Sequence, residues 1–504
     1  MKLLEVLRGI SYRGVSWSPT KEVTGICYDS RHCTHDCLFV AISGMSADGH
    51  DYIGEAIKRG ARVIVHEKPY VPPSGIIALE VADSRLVLGK LARNFFSDPS
   101  ARMCLIGIIG TNGKTTVSYL IEEILKAAGF KVGVLGTVNY RFSGKIKPAL
   151  HTTPESYEFQ KILREISNDG ITHVVAEVSS HALDLHRVDD CAFDRGVFTN
   201  LSQDHLDYHR TMEHYFRAKE RFFTEVLPTG GKKGATAIIN YDDPWGRKII
   251  KKTSVPIDTY GLEGTCWVTA QPWNLSIGGI KATMHDGDNS WEIISDLIGK
   301  FNLYNILAAA ATALSLGIKR EVIQIGVKNL RNIPGRLEKV YKSGEPSVFV
   351  DYAHTEDALL RVLQSLDTFR KGRLITVFGC GGNRDRSKRP LMGQAAVTWS
   401  DLSIVTSDNP RMEDPLAIIA EIESGIQNST AAKIDPSLIA RYNGTKAYAI
   451  IPDRREAIRV ALMVAKPDDI VLIAGKGHED YQIIGNRRLP FDDRLIAREI
   501  LDGH

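Results

Sequence analysis

The segment that most constrains this chain runs from Cys104 to Gly129. An apolar run, CLIGII, leads into Gly110-Thr111-Asn112-Gly113-Lys114-Thr115-Thr116, and an amphipathic stretch follows. Val117, Leu120, Ile121, Ile124, Leu125 and Ala128 recur at helical spacing, and Gly129 supplies a stop. Strand, glycine-rich turn and helix in that order predict a phosphate loop. The glycines let the backbone turn until its N–H groups face phosphate oxygens. The start of the helix adds partial positive charge. Lys114 suits the β- and γ-phosphates of ATP, and the Thr115 hydroxyl suits Mg²⁺. The general pattern G-x-x-x-x-G-K-[ST] is not met, because Ile108 stands where its first glycine belongs.

The flanking sequence alternates strands and helices. Strands are expected at 132–135, 173–178, 196–199 and 235–240, with antiparallel strands over 266–294 and an alanine-rich helix after them. Such alternation predicts a mostly parallel sheet covered by helices. Upstream, strands at 38–42 and 61–66 flank a helix over 51–59, and the polar run SDPSA near Ala101 reads as a linker. Downstream, strands at 347–350, 374–378, 402–406 and 470–474 suggest a second doubly wound sheet. With 504 residues, about three domains are expected. The expectation is α/β throughout: a small N-terminal α/β unit (1–100), a central P-loop ATPase-type sheet (101–335) and a C-terminal Rossmann-like sheet (336–504).

A formal net charge of +3 gives no case for nucleic-acid binding. No apolar run reaches the ~18 residues of a membrane span, and the N-terminus lacks an apolar signal segment. A cytoplasmic protein is expected. The seven cysteines are odd in number and scattered, so no disulfide is expected. Cys27, His32, Cys33, His35 and Cys37 crowd together, yet no C-x2-C or H-x3-H pair appears among them. They read as a strand, a loop and a strand with incidental thiols.

Glu177 ends the apolar run of its strand, beside the phosphate loop. A carboxylate there can hold Mg²⁺ directly or through water. The alternative is an ordinary edge acid.

Beyond this point the residues resemble a known family, the Mur ligases of peptidoglycan synthesis. The motifs occur in order along almost the whole chain: Tyr28-Asp-Ser30-Arg31, the phosphate loop, Thr152-Thr153-Pro154, Glu177-Val-Ser-Ser-His181, Thr199 to Asp207, Ala218-Lys219, Phe301-Asn302 with Asn305, Pro334-Gly-Arg336, Asp351-Tyr-Ala-His354, Gly381 to Asp385, Asp408-Asn409-Pro410-Arg411 and Gly475 to Glu479.

Within that family the chain is similar to members that add the third amino acid. The Asp-Asn-Pro-Arg run resembles the form taking meso-2,6-diaminopimelate rather than lysine. The resemblance implies an ATP-dependent ligase acting on UDP-N-acetylmuramoyl-L-alanyl-D-glutamate through an acyl phosphate. It implies ATP contacts from Gly110 to Thr116 and at Asn302, Asn305, Arg336, Asp351 and His354. It implies two Mg²⁺ ions near Thr115, Glu177, His205 and Lys219, the last as a CO₂-derived carbamate.

The muramyl nucleotide is expected at Tyr28, Ser30, Met45, Ser46, Ala47, His151, Thr152, Thr153, Ser179, Leu185 and Arg187. Diaminopimelate is expected at Arg384, Asp408, Asn409, Pro410, Arg411, Gly475 and Glu479. His151 and Leu185 depart from relatives with asparagine and glutamine there, and leucine cannot donate a hydrogen bond. A guanidinium pairs with a carboxylate through two parallel bonds, so Arg411 suits the distal carboxylate that lysine lacks. Only small-molecule partners and a monomer are expected.

Three other readings remain at this point. One is a lysine-adding or folylpolyglutamate-synthetase-like ligase. Another is an oxidoreductase suggested by Gly379-Cys-Gly381-Gly382, which is not G-x-G-x-x-G. The third is a non-catalytic ATP-binding protein.

Overall fold

The computed structural model describes residues 1–14, 17–44, 47–340, 346–427, 429–442 and 446–503. Three sheets carry the fold. The first has five strands, with Ile26–Cys27, Leu38–Val40, Val63–His66 and Ile77–Glu80 in parallel and Arg13–Gly14 antiparallel at one edge.

The second sheet has eleven strands. Cys104–Ile109 lies at its centre, parallel to His173–Glu177 on one side and Arg195–Phe198 on the other. The interiors of these strands are buried on both faces, which explains the apolar runs Leu105–Ile109, Val174–Ala176 and Gly196–Phe198. Helix Lys114–Ala127 presses Val117, Leu120, Ile121 and Ile124 onto one face, with helix Lys300–Ser315 in the same core. The expected antiparallel stretch resolves into Val268–Ser276, Gly279–Asp286 and Asn289–Ser295.

The third sheet has seven strands. Ser347–Asp351, Ile470–Ala474, Leu374–Phe378, Leu402–Val405 and Ala447–Ile450 run parallel. Their C-terminal ends lead into the loops holding Tyr352, Gly475, Gly379 and Ser407. Crevices at strand C-termini are where open α/β sheets bind ligands.

Two expectations need correction. The SDPSA run is no exposed linker. Ser100 is fully buried in a 3₁₀ turn, its hydroxyl accepts from Ala192 N–H at 3.0 Å, and Asp98 pairs with Arg93. A hairpin, Asn139–Phe142 with Lys145–Pro148, extends the central sheet where no strand was expected. Its turn takes Ser143 and Gly144 through positive φ, the geometry a two-residue hairpin requires.

The strand, loop and strand expected near the N-terminus are present, and they bring three thiols together. Cys27, Cys33 and Cys37 converge, while the His32 and His35 side chains are 79% and 80% exposed. All seven cysteines are free. Among the described residues, no helix is long and apolar enough to cross a membrane.

Candidate active site

The phosphate loop is shaped by contacts that exclude side chains. Gly113 has φ +87°, and a Cβ there would lie 2.3 Å from Asn305 Oδ1. A Cβ at Gly110 would lie 1.8 Å from Thr199 Oγ1. The neighbouring strand end fixes the loop: Asn112 N–H donates to Asn200 Oδ1 at 3.0 Å, and the Thr199 hydroxyl donates to Asn112 O at 2.7 Å. Lys114 folds back over the loop, donating to the carbonyls of Gly110 at 2.8 Å and Thr111 at 2.9 Å.

Glu177 reaches the loop from the adjacent strand and is only 1% exposed. It accepts from the Thr115 hydroxyl at 3.0 Å, the Thr137 hydroxyl at 2.8 Å and Thr137 N–H at 3.1 Å. Every one of these donors is neutral. Thr137 escaped the sequence reading, its only signal being its place two residues past a predicted strand. Asn302 donates to Ile298 O and accepts from Asn305, so it orients the asparagine that faces Gly113.

Lys219 enters from helix Met212–Arg221, lies 1% exposed, and donates to the same Gly110 carbonyl at 2.8 Å. Burial, then the nearby Lys114 charge, holds its amine well below the usual lysine range. His205 stands at the rim in a left-handed conformation, φ +55°, its ring 4.9 Å from that of His181. Asp204, beside it, also faces the cleft and was missed.

Two cavities open from this centre. One, of about 300 Å³, is walled by the phosphate loop, Thr116, Phe301, Tyr304, Asn305, Arg336 and Asp351. Aromatic rings beside a phosphate loop suit a nucleotide base. Arg336 reaches across from the third sheet to Thr115 Oγ1 at 3.3 Å. Asp351 is buried, which pushes its carboxyl up, and it accepts from Leu337 and Ala353 N–H. Asn112 Nδ2 also crosses over, donating to Asp357 at 3.1 Å.

The other cavity, of about 530 Å³, takes in Asp204, His205, His354, Arg384, Arg411 and Glu479. His354 lines this second cavity, not the first. Its Nδ1 donates to Tyr352 O at 2.8 Å, and burial lowers its basicity.

Arg411 has φ +52° and donates to Gly382 O at 2.7 Å. Arg411 and Arg384 both flank Gly381, where a Cβ would lie 2.9 Å from Arg411 Nη1 and 3.9 Å from Arg384 Cγ. Among the described residues, neither guanidinium has a carboxylate partner. In the same cavity, Glu479 accepts from Asn409 at 2.8 Å and from the fully buried Lys476 at 3.2 Å. Burial, then Asp408, pushes its carboxyl up. Asp408 Oδ1 is buried without a hydrogen-bond partner, and Gly475 packs beside that carboxylate. Pro410 closes its turn against Gly382, where a Cβ would lie 1.9 Å from Pro410 O.

The remaining expected residues lie along the first and second sheets. Tyr28 donates to Glu158 at 2.9 Å. Ser30 is buried, and Ala47 and His151 are exposed. Thr152 and Thr137 hydroxyls meet at 3.1 Å. Thr153 is 1% exposed and bridges Glu177 O and Ser179 N–H. Ser179 caps helix Ser180–Asp184, which ends at Leu185. Arg187 donates to Thr153 O at 3.0 Å and pairs with Glu155. Met45 and Ser46 lie outside the described residues.

Comparison with known proteins agrees with this layout. Residues 108–313 match the Mur ligase middle domain, 335–477 the Mur ligase glutamate ligase domain, and 22–96 the Mur ligase family catalytic domain. UDP-N-acetylmuramoyl-L-alanyl-D-glutamate–2,6-diaminopimelate ligase of Geobacter metallireducens is 47% identical over 495 residues, covering 98% of this chain and 97% of that protein. Its counterpart in Geobacter sulfurreducens is 46% identical over 498 residues, 99% of this chain and 98% of that one. A solved structure of a ligase with the same name superimposes with TM-score 0.71 at 32% identity, covering 100% of this chain and 99% of that chain. A folylpolyglutamate synthase of Mycobacterium tuberculosis, 17% identical with TM-score 0.63, shares the fold over 83% of this chain and 95% of its own.

Proposed function

Since this chain belongs to the Mur ligase family, we propose that it joins meso-2,6-diaminopimelate to UDP-N-acetylmuramoyl-L-alanyl-D-glutamate, with ATP converted to ADP and phosphate. Curated relatives named for that reaction match at up to 47% identity over nearly the whole chain. In this reading 1–100 bind the nucleotide end of the substrate, 101–335 bind ATP, and 336–504 bind the amino acid. The observation that carries the choice of amino acid is that Arg384 and Arg411, without a carboxylate partner among the described residues, line one cavity together with Glu479. A distal carboxylate answers the guanidiniums, and a distal ammonium answers the glutamate. Lysine would leave both arginines without an anion.

The first step brings two anions together. The substrate γ-carboxylate attacks the γ-phosphorus, the bond to the leaving ADP breaks, and an acyl phosphate forms. The neutral amine then attacks the acyl carbon, the acyl C–O bond breaks, and phosphate leaves with the proton that the amine gives up. Loop N–H groups and Lys114 gather the β- and γ-phosphates, once Lys114 exchanges its loop carbonyls for phosphate oxygens. Fixed donors aimed at developing charge are the main source of rate here.

The residues fit Mg²⁺. Glu177 is a buried carboxylate with only neutral donors, a combination that favours a cation. Glu177, the Thr115 hydroxyl, His205 and Lys219 as its carbamate would hold the metal, which would supply charge neutralisation to the phosphates. Lys219 fits that modification, because burial favours the neutral form of its amine, the form that is a nucleophile toward CO₂. In this reading His151, Thr152, Ser179 and Arg187, with Tyr28 and Ser30, contact the muramyl nucleotide.

Phosphate release with ATP, Mg²⁺ and the muramyl dipeptide nucleotide, with diaminopimelate, lysine or no amino acid, tests the reading. Release with diaminopimelate alone is expected. Release with lysine instead would overturn the assignment of Arg384 and Arg411.

A further inference from the structure

The connection between the first two parallel strands of the N-terminal sheet carries a feature the ligase reaction does not use. Cys27 ends strand Ile26–Cys27, Cys33 follows the 3₁₀ turn Ser30–His32, and Cys37 precedes strand Leu38–Val40. Those strands are direct neighbours, so the loop leaves and returns at one place. Its two ends and its middle each present a sulfur there. Cys27 Sγ lies 2.8 Å from Cys33 Sγ and 3.4 Å from Cys37 Sγ, and all three ligand atoms fall within 4.8 Å of one another. Phe39, Ile53, Ala56, Ala61 and Ile64 wall the group with apolar surface.

We propose that Cys27, Cys33 and Cys37 form a three-thiolate binding site for one Zn²⁺ ion. Soft sulfur donors in an apolar shell select a thiophilic ion over Mg²⁺ or Ca²⁺. Charge chooses among such ions: three thiolates around Zn²⁺ leave one net negative charge, whereas a monovalent ion would leave two in the same apolar pocket. Among the described residues no fourth protein donor joins the group, so a solvent or other non-protein ligand completes the tetrahedron. Zn–S bonds of about 2.3 Å place sulfurs roughly 3.8 Å apart, which small side-chain rotations achieve. A disulfide would use two of the thiols and leave the third buried beside it without a role; the metal uses all three.

The ion would pin the loop that carries Tyr28 and Ser30. A consequence for nucleotide-substrate affinity rests on the function proposed above, but metal binding does not.

The experiment is elemental analysis of the purified full-length chain after dialysis, paired with Co²⁺ titration of the metal-stripped protein. About one zinc per chain is expected, with a thiolate-to-cobalt charge-transfer band. Both should be lost in C27S/C33S/C37S, with Mg²⁺ unable to compete. A wild-type chain without zinc or cobalt band, or a Cys27–Cys33 disulfide found by peptide mass mapping, would overturn the proposal. Phosphate release measured on the same samples separates failure of this site from failure of the ligase reading.

Discussion

Lys114 and Lys219 donate to one and the same acceptor, the carbonyl oxygen of Gly110, each at 2.8 Å. Two ammonium groups that close repel, and burial disfavours both charges. Lys219 yields first, its amine held well below the ordinary lysine value.

An amine whose neutral form is favoured at this place predicts dependence on CO₂. Phosphate release should slow in CO₂-stripped buffer and recover with bicarbonate. Lys219→Arg, which cannot carry a carbamate, should show no response. Lys219→Ala should lose about 10²–10³-fold in kcat, the scale of removing one charge-stabilising group. A ¹³C carbamate resonance from labelled bicarbonate, absent in Lys219→Arg, checks the chemistry itself. An unchanged rate without CO₂ would rule the carbamate out.

The paired guanidiniums make a specificity prediction. Arg411→Ala should lower kcat/KM for diaminopimelate by about 10–100-fold, from roughly 1.5–3 kcal/mol per charge-assisted bond. The KM for ATP should hold, because Arg411 lies in the other cavity. Arg411→Lys should not restore it, since a point charge cannot make two parallel bonds to a carboxylate. Steady-state kinetics with each substrate varied in turn checks both statements.

What could be read from the sequence follows physical range. The phosphate loop was legible because strand, glycines, lysine and helix are contiguous, and local chemistry dictates each of them. The residues that finish the site come from afar. Thr137 meets Glu177 only because two parallel strands end side by side, and Asn112 meets Asp357 only once the third sheet docks. The spacing of Cys27, Cys33 and Cys37 fits no standard metal pattern, yet a loop that leaves and rejoins adjacent strands gathers them. The SDPSA run misled because its polar groups find partners inside, Ser100 on Ala192 and Asp98 on Arg93.

Arg454 and Asp493 are both fully buried and pair at 2.6 Å, with Arg454 also donating to Ala474 O at the end of a central strand. Arg454→Ala leaves a buried carboxylate alone and should cost about 3–5 kcal/mol. The double change Arg454→Met with Asp493→Leu should recover much of that loss, since no charge remains to be buried. Chemical denaturation of the three proteins checks this.

Asp190 supplies a pH signature. Burial pushes its carboxyl from 3.8 up to about 6. A raised folded-state value means the proton is bound more tightly in the folded chain. Its contribution to stability is therefore full below pH 3.8 and lost as pH rises through about 6. Asp190→Asn should be more stable than the parent by about 1–2 kcal/mol near pH 8, after allowance for solvent screening. The gap should narrow toward pH 5. Equal differences at both pH values would contradict the assignment.

The most direct test is a competition. The full-length chain is given ATP, Mg²⁺ and UDP-N-acetylmuramoyl-L-alanyl-D-glutamate with equimolar meso-diaminopimelate and L-lysine, and the nucleotide product is weighed by mass spectrometry. A product carrying diaminopimelate, essentially free of the lysine adduct, is the expected result. A predominant lysine adduct would contradict the reading of Arg384 and Arg411, and an unextended nucleotide would contradict the ligase itself.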